Sequence, residues 1–289
     1  EFRKKEFLEL MKDGLKDVSI SRPRKNLSWG VPVPGDDTQV MYVWLDALSN
    51  YITVIGYPDR ADEWQAFWPA DVQVIGKDIP RFHAGVWPAM LMALDLPLPK
   101  ALLVHGFINV GGTKMSKSLG NGVGPADIIP HYGVEAFRYY FLRHVPTQDD
   151  GDFTWEKFEA AYNGELGNDL GNLVQRVAKM VQSYQAGVIG DAPQSEHDMG
   201  PYRANMEALN FNLAIDEIWQ IIRSLNQYIE RVQPWQVAKK RDKDPDAETH
   251  LAEILAHACG TLLQVSNMLR PFMPQTAEKI HNMFASGVV

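Results

Sequence analysis

Cysteine, long apolar runs and excess positive charge are all scarce in this chain. It has one cysteine among 289 residues, Cys259, which excludes an internal disulfide and any cysteine-rich zinc site. No apolar run approaches the roughly 20 residues of a membrane span, and the N-terminus lacks the apolar core of a signal peptide. We therefore expect a cytoplasmic protein without membrane contact and without metal ligands of its own.

The formal net charge of −8 excludes a surface coated in basic residues, but nucleic-acid binding stays open because it needs only a local positive patch. A hydrophobic content of 45% is typical of a folded globular protein, and the length suffices for two domains. The chain begins without methionine in a charged, helix-like segment. We therefore expect a fragment of a longer protein.

The first 132 residues alternate strand-like and helix-like segments, which indicates a doubly wound parallel sheet. Their periodicity predicts strands at residues 39–45, 71–75 and 101–110, helices at 46–55 and 79–94, and a loop at 28–37. From Gly133 onward the periodicity is helical. It predicts helices at residues 134–144, 155–184, 202–229, 234–240 and 248–269, followed by a short final helix. The fold class is therefore α/β followed by an all-α bundle.

A lysine-rich loop, residues 114–118 with the sequence Lys-Met-Ser-Lys-Ser, follows the apolar strand at 101–110. Flanking glycines let a backbone approach an anion, and the ammonium groups of Lys114 and Lys117 neutralise charge on a departing phosphate. Open α/β sheets place ligands after the carboxyl ends of their strands. The loop therefore predicts a polyphosphate site. It is not a P-loop, because Gly112 is followed by Thr113 rather than by lysine.

A second candidate site follows the strand at 71–75. Gly76 permits close approach of a nucleotide and Asp78 can accept hydrogen bonds from a ribose or an amine, although Asp78 can equally cap the next helix. His83 and Trp87 share a helical face, and we expect Trp44 at the same edge of the sheet. Aromatic rings around a histidine make a pocket suited to a polarizable apolar group such as a thioether.

A polar stripe runs along the predicted helix at 155–184. Asn168, Asn172 and Arg176 are spaced by four, and such side chains read base edges, although a polar stripe is more often a solvated face. Farther along, Pro234-Trp235 precedes basic residues, so the indole of Trp235 either stacks on an unpaired base or staples the helix to the bundle.

Taken together, these segments resemble the methionyl-tRNA synthetases of the bacterial type over essentially the whole chain. The lysine loop matches the KMSKS signature of class I aminoacyl-tRNA synthetases. The other supporting stretches are residues 42–47, 75–78, 82–83, 86–90 and 105–106, the asparagine-arginine stripe, and Pro234-Trp235. The resemblance implies the second half of a Rossmann-like nucleotide-binding domain at 1–132, connecting helices at 133–157, and an anticodon-binding bundle at 158–289.

The resemblance also implies the roles of individual residues. ATP, with Mg²⁺, is the substrate that activates methionine, and tRNA-Met receives the methionyl group. The residues implied for methionine are Trp44, Ala47, Tyr51, Ile79, His83 and Trp87. Those implied for ATP are Gly76, Asp78, Ile108, Lys114, Ser116, Lys117 and Ser118, with Lys114 and Lys117 catalytic. Those implied for the CAU anticodon are Asn168, Asn172, Arg176, Pro234 and Trp235.

The chain departs from the family in one respect. The other signature, HIGH, is absent, as is the zinc-bearing insertion that accompanies it in the first half of the nucleotide-binding domain. We therefore expect a C-terminal portion that activates methionine only together with the missing half. Two alternatives remain open: a tRNA-binding fragment without catalysis, and a related class I synthetase specific for another amino acid.

Overall fold

A computed structural model describes residues 2–12, 14, 16–115, 120–189, 197–287 and 289. Two compact units are present, Glu1–His105 and Gly106–Val289. None of the described helices combines enough length and apolar character to cross a membrane.

The first unit contains two small sheets and a set of helices. Its strands are β1 (Ser21–Pro23), β2 (Pro32–Val33), β3 (Asp36–Met41), β4 (Gln73–Gly76) and β5 (Leu102–His105). Strands β1, β3 and β2 form an antiparallel sheet, and β4 pairs with β5 in parallel. The helices are α1 (Phe2–Lys12), α2 (Val43–Thr53), α3 (Ala61–Phe67), a π-helix π1 (Phe82–Val86) and α4 (Trp87–Ala93).

The core of the first unit is rich in tryptophan. Leu48 and Ile52 lie four residues apart on α2, and both are buried against Trp64, Trp87 and Leu91. This helical spacing explains why the expected strand at 39–45 is wrong in its second half. The strand ends at Met41 and α2 begins at Val43, because the apolar residues from there onward share a helical face. Trp44 therefore lies in the first turn of α2, and its preceding strand belongs to the antiparallel sheet.

The second unit is mostly helical. Its strands are β6 (Ile108–Val110), β7 (Thr113–Lys114) and β8 (Gly151–Phe153), and β6 pairs antiparallel with β7 and parallel with β8. The first helices are α5 (Pro125–Tyr132), α6 (Val134–Arg143), α7 (Trp155–Ala161), a π-helix π2 (Tyr162–Gly171) and α8 (Asn172–Gln185). The remaining helices are α9 (Gly200–Glu207), α10 (Phe211–Val232), α11 (Pro234–Ala238), α12 (Ala247–Leu269) and α13 (Pro274–Ala285).

The expected single strand at 101–110 is divided into β5 and β6 at Gly106. A Cβ atom at this position would lie 2.1 Å from the carbonyl oxygen of Asp149, so only glycine lets the two backbones approach this closely. The strand therefore changes its partner after His105. Apolar periodicity does not reveal the break, because apolar residues continue on both sides of the His105-Gly106 pair, at 102–104 and at 107–108.

An apolar stripe along π2 and α8 forms part of the helical core. Leu170, Leu173, Val177 and Val181 are all buried, and they pack against α10 and α12 in one cluster. Cys259 is fully buried on α12, and burial raises the pKa of its thiol to about 12. Glu135 on α6 accepts hydrogen bonds from the backbone N–H groups of Gln275 and Thr276, which caps α13 and fixes it against α6.

Candidate functional site

An aromatic cluster forms where α2 meets the segment that follows β4. Trp44, Ala47 and Tyr51 lie at positions i, i+3 and i+7 of α2 and hence on one face. His83 is the second residue of π1, and Trp87 begins α4. Tyr51 contacts both His83 and Trp87, with ring centroids 5.7 and 5.9 Å apart. The structure therefore brings together the aromatic residues that the sequence grouped.

Hydrogen bonds determine the tautomer of His83. Its Nδ1 lies 3.1 Å from the carbonyl oxygen of Ile79, which can only accept, so Nδ1 carries the proton in the neutral ring. Nε2 is then an acceptor, and the hydroxyl of Tyr51 donates to it across 3.0 Å. Burial raises the pKa of the Tyr51 phenol, which keeps it a donor near neutral pH. Ile79 thus acts through its backbone.

Trp44 is held by a residue that the sequence interpretation left out of the pocket. Its indole stacks on Phe82 with centroids 3.9 Å apart and planes 10° apart, and it meets His83 edge-on. Trp87 is completely buried and packs edge-on against Trp68. Half-buried Trp44 and Tyr51 thus have accessible ring surface, whereas Trp87 supports the cluster from within. Phe82 directly precedes His83 in the sequence, and this neighbouring position could have indicated that Phe82 belongs to the cluster.

Gly76 ends β4 beside His105, its register partner at the end of β5. A Cβ atom on Gly76 would lie 2.8 Å from Oδ1 of Asp78, so the glycine makes room for that carboxylate to fold back. Asp78 is exposed, and the helix that continues into π1 begins at Pro80, two residues farther on. The described residues include no hydrogen bond from Asp78 to the first turn of that helix, as the capping alternative would require. The carboxylate lies at the carboxyl end of a parallel strand, where α/β sheets bind ligands.

In the second unit, β6 and β7 form a hairpin that carries Lys114. The turn residues Gly111 and Gly112 have φ values of +59° and +76°, as a type I′ turn requires. The ammonium of Lys114 lies 4.1 Å from the ring centroid of Phe107, a cation–π contact. Ile108 begins β6 opposite Gly151. Ser116, Lys117 and Ser118 lie outside the described residues.

Asp152 fixes the turn that precedes Lys114. Its Oδ1 accepts a hydrogen bond of 2.7 Å from the backbone N–H of Gly112, and its Oδ2 pairs with Lys157 at 3.0 Å. These two interactions, the backbone bond foremost, hold the pKa of the Asp152 carboxyl below its usual range. Asp152 was absent from the sequence interpretation, since it lies 40 residues beyond the turn and no motif marks it.

The asparagine-arginine stripe lies where π2 passes into α8. Asn168 ends up one turn before Asn172, whose Nδ2 donates to Oδ1 of Asn168 across 3.2 Å. Arg176 and Asn172 line a surface cavity of about 450 Å³ together with side chains of the next turns of α8. π-Helical segments are frequent at functional sites, and they shift the register of the side chains that follow. The three residues thus lie together on an accessible face.

Arg176 is held by α10. Its Nη1 donates to Glu230 at 2.5 Å and its Nη2 to Oδ1 of Asn226 at 2.8 Å. The amide of Asn226 also donates to the carbonyl oxygen of Asp169 in π2, across 3.2 Å. Each Arg176 terminal nitrogen retains one further N–H. The sequence interpretation missed Asn226 and Glu230, although their spacing of four on α10 was visible.

Pro234 and Trp235 begin α11 directly after α10. Gln233 between the two helices has a φ of +46°, and Pro234 is buried while Trp235 is half-buried against the core. Pro234 is four positions after Glu230, the partner of Arg176, so the chain spans at most about 14 Å between them. The Trp235 indole packs on the bundle, as the stapling alternative expected.

A charged cluster lies behind the stripe. Glu165 in π2 accepts hydrogen bonds from the Tyr139 hydroxyl at 2.6 Å and from Nε2 of His144 at 2.7 Å, beside the guanidinium of Arg143. Burial alone would raise the pKa of Glu165, but these partners outweigh it and the pKa lies below its usual range. The described residues include no group of three or more side chains suited to hold a metal ion.

Two family models match successive parts of the chain. The family model of class I tRNA synthetases of type M matches residues 1–178, and that of the anticodon-binding domain of tRNA ligases matches residues 201–287. The methionine–tRNA ligase of Streptomyces coelicolor is 45% identical over 97% of this chain and 54% of the relative. That of Listeria innocua is 42% identical over 97% of this chain and 43% of the relative.

Solved structures give the same result. The methionyl-tRNA synthetase of Mycobacterium tuberculosis bound by methionyl-adenylate superposes with a TM-score of 0.87 and 36% identity, over 96% of this chain and 56% of that one. Its free form gives a TM-score of 0.83 and 33% identity, over 97% and 56%. The chain thus spans about half the length of the relatives it matches. With its first 178 residues matched by the family model, the chain belongs to the methionyl type of the class I tRNA synthetases.

Proposed function

We propose that this chain is the part of a methionine–tRNA ligase that holds methionine, grips the phosphates of ATP and reads the anticodon of tRNA-Met. In the complete reaction, the methionine carboxylate attacks the α-phosphate of ATP, which gives methionyl-adenylate and releases pyrophosphate. The methionyl group then passes to the tRNA and AMP is released. The observation that carries the proposal is the aromatic cluster around His83.

The methionine side chain would lie against Trp44, Ala47, Tyr51, Ile79, His83 and Trp87. Thioether sulfur gains about 0.3–1.5 kcal/mol from aromatic edges, and the accessible rings of Trp44 and Tyr51 supply them. The bond from Tyr51 to His83 fixes both side chains before the substrate binds.

ATP would lie against Gly76, Asp78 and the backbone near Ile108. Lys114 and Lys117 would neutralise the pyrophosphate as it leaves, acting mainly in the transition state, with Ser116 and Ser118 as further hydrogen-bond donors. Mg²⁺ would enter with the phosphates of ATP and would reduce the same negative charge. The Asp152 bond to Gly112 supports this role, because it fixes the turn from which Lys114 projects.

The CAU anticodon would bind Asn168, Asn172 and Arg176, with Trp235 stacked on a base beside Pro234. Asparagine and arginine present paired donors and acceptors to base edges, worth about 1–3 kcal/mol of discrimination for each good pair. The remaining N–H groups of Arg176 are already aligned by Asn226 and Glu230. On this proposal residues 1–132 serve the nucleotide, 133–157 connect the two sites and 158–289 read the RNA.

Activation of methionine would further require a polypeptide that carries HIGH, which this sequence lacks. Exposed apolar residues of the first unit support such a partner: Val74 in the middle of β4 is 62% exposed and Met92 is 70% exposed. Parallel strands are normally covered on both faces. The partner would supply further strands beside β4 and β5 and the rest of the nucleotide site.

Methionine-dependent ATP–pyrophosphate exchange tests this proposal. The purified chain should give no exchange, whereas it should bind an RNA stem-loop that carries CAU. Exchange by the chain alone would contradict the required partner. Failure to bind the stem-loop would contradict the RNA-reading role.

One alternative is an RNA-binding module that acts without catalysis, which the match of residues 201–287 to an anticodon-binding domain favours. It predicts stem-loop binding and no exchange even when a HIGH-bearing half of a relative is added. Another amino-acid specificity would instead give exchange in that mixture with leucine, isoleucine, valine or cysteine and none with methionine.

A further inference from the structure

A cavity of about 610 Å³ opens on the helical bundle, apart from the asparagine-arginine stripe. Ser224, Gln227, Tyr228 and Arg231 line one wall, at positions i, i+3, i+4 and i+7 of α10. His257 of α12 and His197, which precedes α9, line the other, and Leu225 forms the floor. Arg223, Asn226 and Glu230, which face π2 and α8, lie on a different side of α10. The cavity is therefore a separate surface.

The polar groups of this cavity are suited to an anion. The described residues that line it include two imidazoles, a guanidinium, a phenol, a hydroxyl and an amide, and no carboxylate. Arg231 forms no ion pair within the described part of the chain.

Ring contacts position these groups before any ligand binds. The Tyr228 ring meets His257 edge-on with centroids 4.8 Å apart, and the Arg231 guanidinium lies 5.7 Å from the same ring. Gln264 of α12 donates a hydrogen bond to the carbonyl oxygen of His197, which ties that segment to the bundle. Side chains held in this way lose little entropy on binding.

The charge of His257 acts on the His197 ring. Burial first, and that charge second, lower the pKa of His197. A bound anion beside the ring would favour its charged form and so offset both effects. Glu253 on α12, the carboxylate that acts on Tyr228, lies near His250, with Nδ1 and carboxylate oxygen 3.9 Å apart.

The geometry points to this cavity as a second ligand site that binds a phosphate group between His197, Arg231 and His257. Arginine and imidazole are recurrent phosphate partners, and Ser224 and Tyr228 supply hydroxyl donors. The cavity of about 610 Å³ has room for a molecule larger than one phosphate. The phosphate is either one of an RNA backbone or that of a free nucleotide. This site is independent of the CAU-reading and ATP-binding roles proposed above.

Histidine-selective NMR of the whole chain tests the site, with inorganic phosphate as the first probe and chloride at equal ionic strength as the blank. Phosphate should shift the His197 and His257 signals. Arg231→Gln should weaken phosphate binding about tenfold, the effect of losing one charge-assisted contact. Arg270→Gln, an exposed arginine at the end of α12 outside the cavity, should leave it unchanged.

Two further titrations, with RNA stem-loops and with AMP, distinguish an RNA backbone from a free nucleotide as the source of the phosphate. An RNA backbone is indicated if CAU and scrambled stem-loops shift the same two histidines and compete with phosphate. A free nucleotide is indicated if AMP does so and the stem-loops do not. The site is contradicted if none of these probes shifts the two histidines, or if Arg231→Gln binds phosphate as tightly as the unchanged chain.

Discussion

The Tyr51 hydroxyl lies 3.0 Å from Nε2 of His83, and the opposite nitrogen of that ring is bound to the Ile79 carbonyl. Both ring nitrogens of a buried histidine are therefore satisfied, and only one neutral tautomer is compatible with the two partners. This fixes the ring against which Trp44 and Tyr51 pack.

Tyr51→Phe should destabilise the first unit locally. The change leaves Nε2 of a buried histidine without a partner, which costs about 1–3 kcal/mol. Native-state hydrogen exchange of the α2 amides should show this loss. The matched control is Tyr57→Phe, because the Tyr57 hydroxyl has no hydrogen-bond partner among the described residues. Equal effects of the two substitutions would contradict the role of the Tyr51 bond.

Asp152→Ala should loosen the hairpin that carries Lys114. It removes the acceptor of the Gly112 N–H and the partner of Lys157, so hydrogen exchange at the Gly112 amide should accelerate several-fold and affinity for pyrophosphate should fall. Asp152→Asn keeps an acceptor oxygen and should restore most of the protection. If the Gly112 amide of Asp152→Ala exchanged as slowly as that of the unchanged chain, the Asp152 side chain would not be what fixes the turn.

Glu165 should make the helical unit more stable above its pKa than below it. The folded-state pKa is lowered, whereas an unfolded glutamate titrates near about 4.3. Its stabilising contribution is thus fully present above about pH 4.3 and is lost as the pH falls through the lower folded value. Urea unfolding should show a difference between the unchanged chain and Glu165→Gln at pH 7 that shrinks below pH 4. A difference that grew on acidification would contradict the assigned partners.

Asn226→Ala should weaken RNA binding more than it weakens the fold. Arg176 would lose the acceptor that fixes Nη2, and the Asp169 carbonyl would lose its donor, so the guanidinium would sample other orientations. We expect affinity for a CAU stem-loop to fall about tenfold, equivalent to one lost hydrogen bond to a charged group. The control is Gln220→Ala, which removes an exposed amide from the same helix. An equal loss of RNA affinity in that variant would contradict a special role for Asn226.

The sequence predicted most of the helical unit because its signals are local. Leu173, Val177 and Val181 repeat at helical spacing and are buried where that spacing requires. The beginning of α2 at Val43 was missed, because a short apolar run fits strand and helix alike until its buried partners are known. Gly106 was missed for a related reason. A glycine is required at this position because the backbone of Asp149 packs against it, and Asp149 is distant in sequence.

Among the site residues, too, those with a local signal were predicted and those that depend on distant contacts were not. His83 and Trp87 were grouped from helical spacing, Trp44 from an expected place at the sheet edge, and Tyr51 only through the family resemblance. The ring contacts join all four, although Trp44 lies in α2 and not at the end of a strand. The residues that orient the site were not predicted, because Asp152 and Asn226 lie 40 and 50 positions from Gly112 and Arg176. Pairings over such separations depend on how helices and strands pack. No pattern within one segment encodes them.

Binding of short RNA stem-loops to the purified chain tests the proposed RNA-reading role most directly. Two stem-loops that differ only in having CAU or UAC in the loop should be titrated against the unchanged chain and against Arg176→Ala. We predict at least tenfold tighter binding of CAU than of UAC, and a much smaller preference in Arg176→Ala. The reason is that UAC loses the paired hydrogen bonds to one or two bases, each worth about 1–3 kcal/mol. Equal affinity of the unchanged chain for the two loops would contradict the proposal that this bundle reads the anticodon.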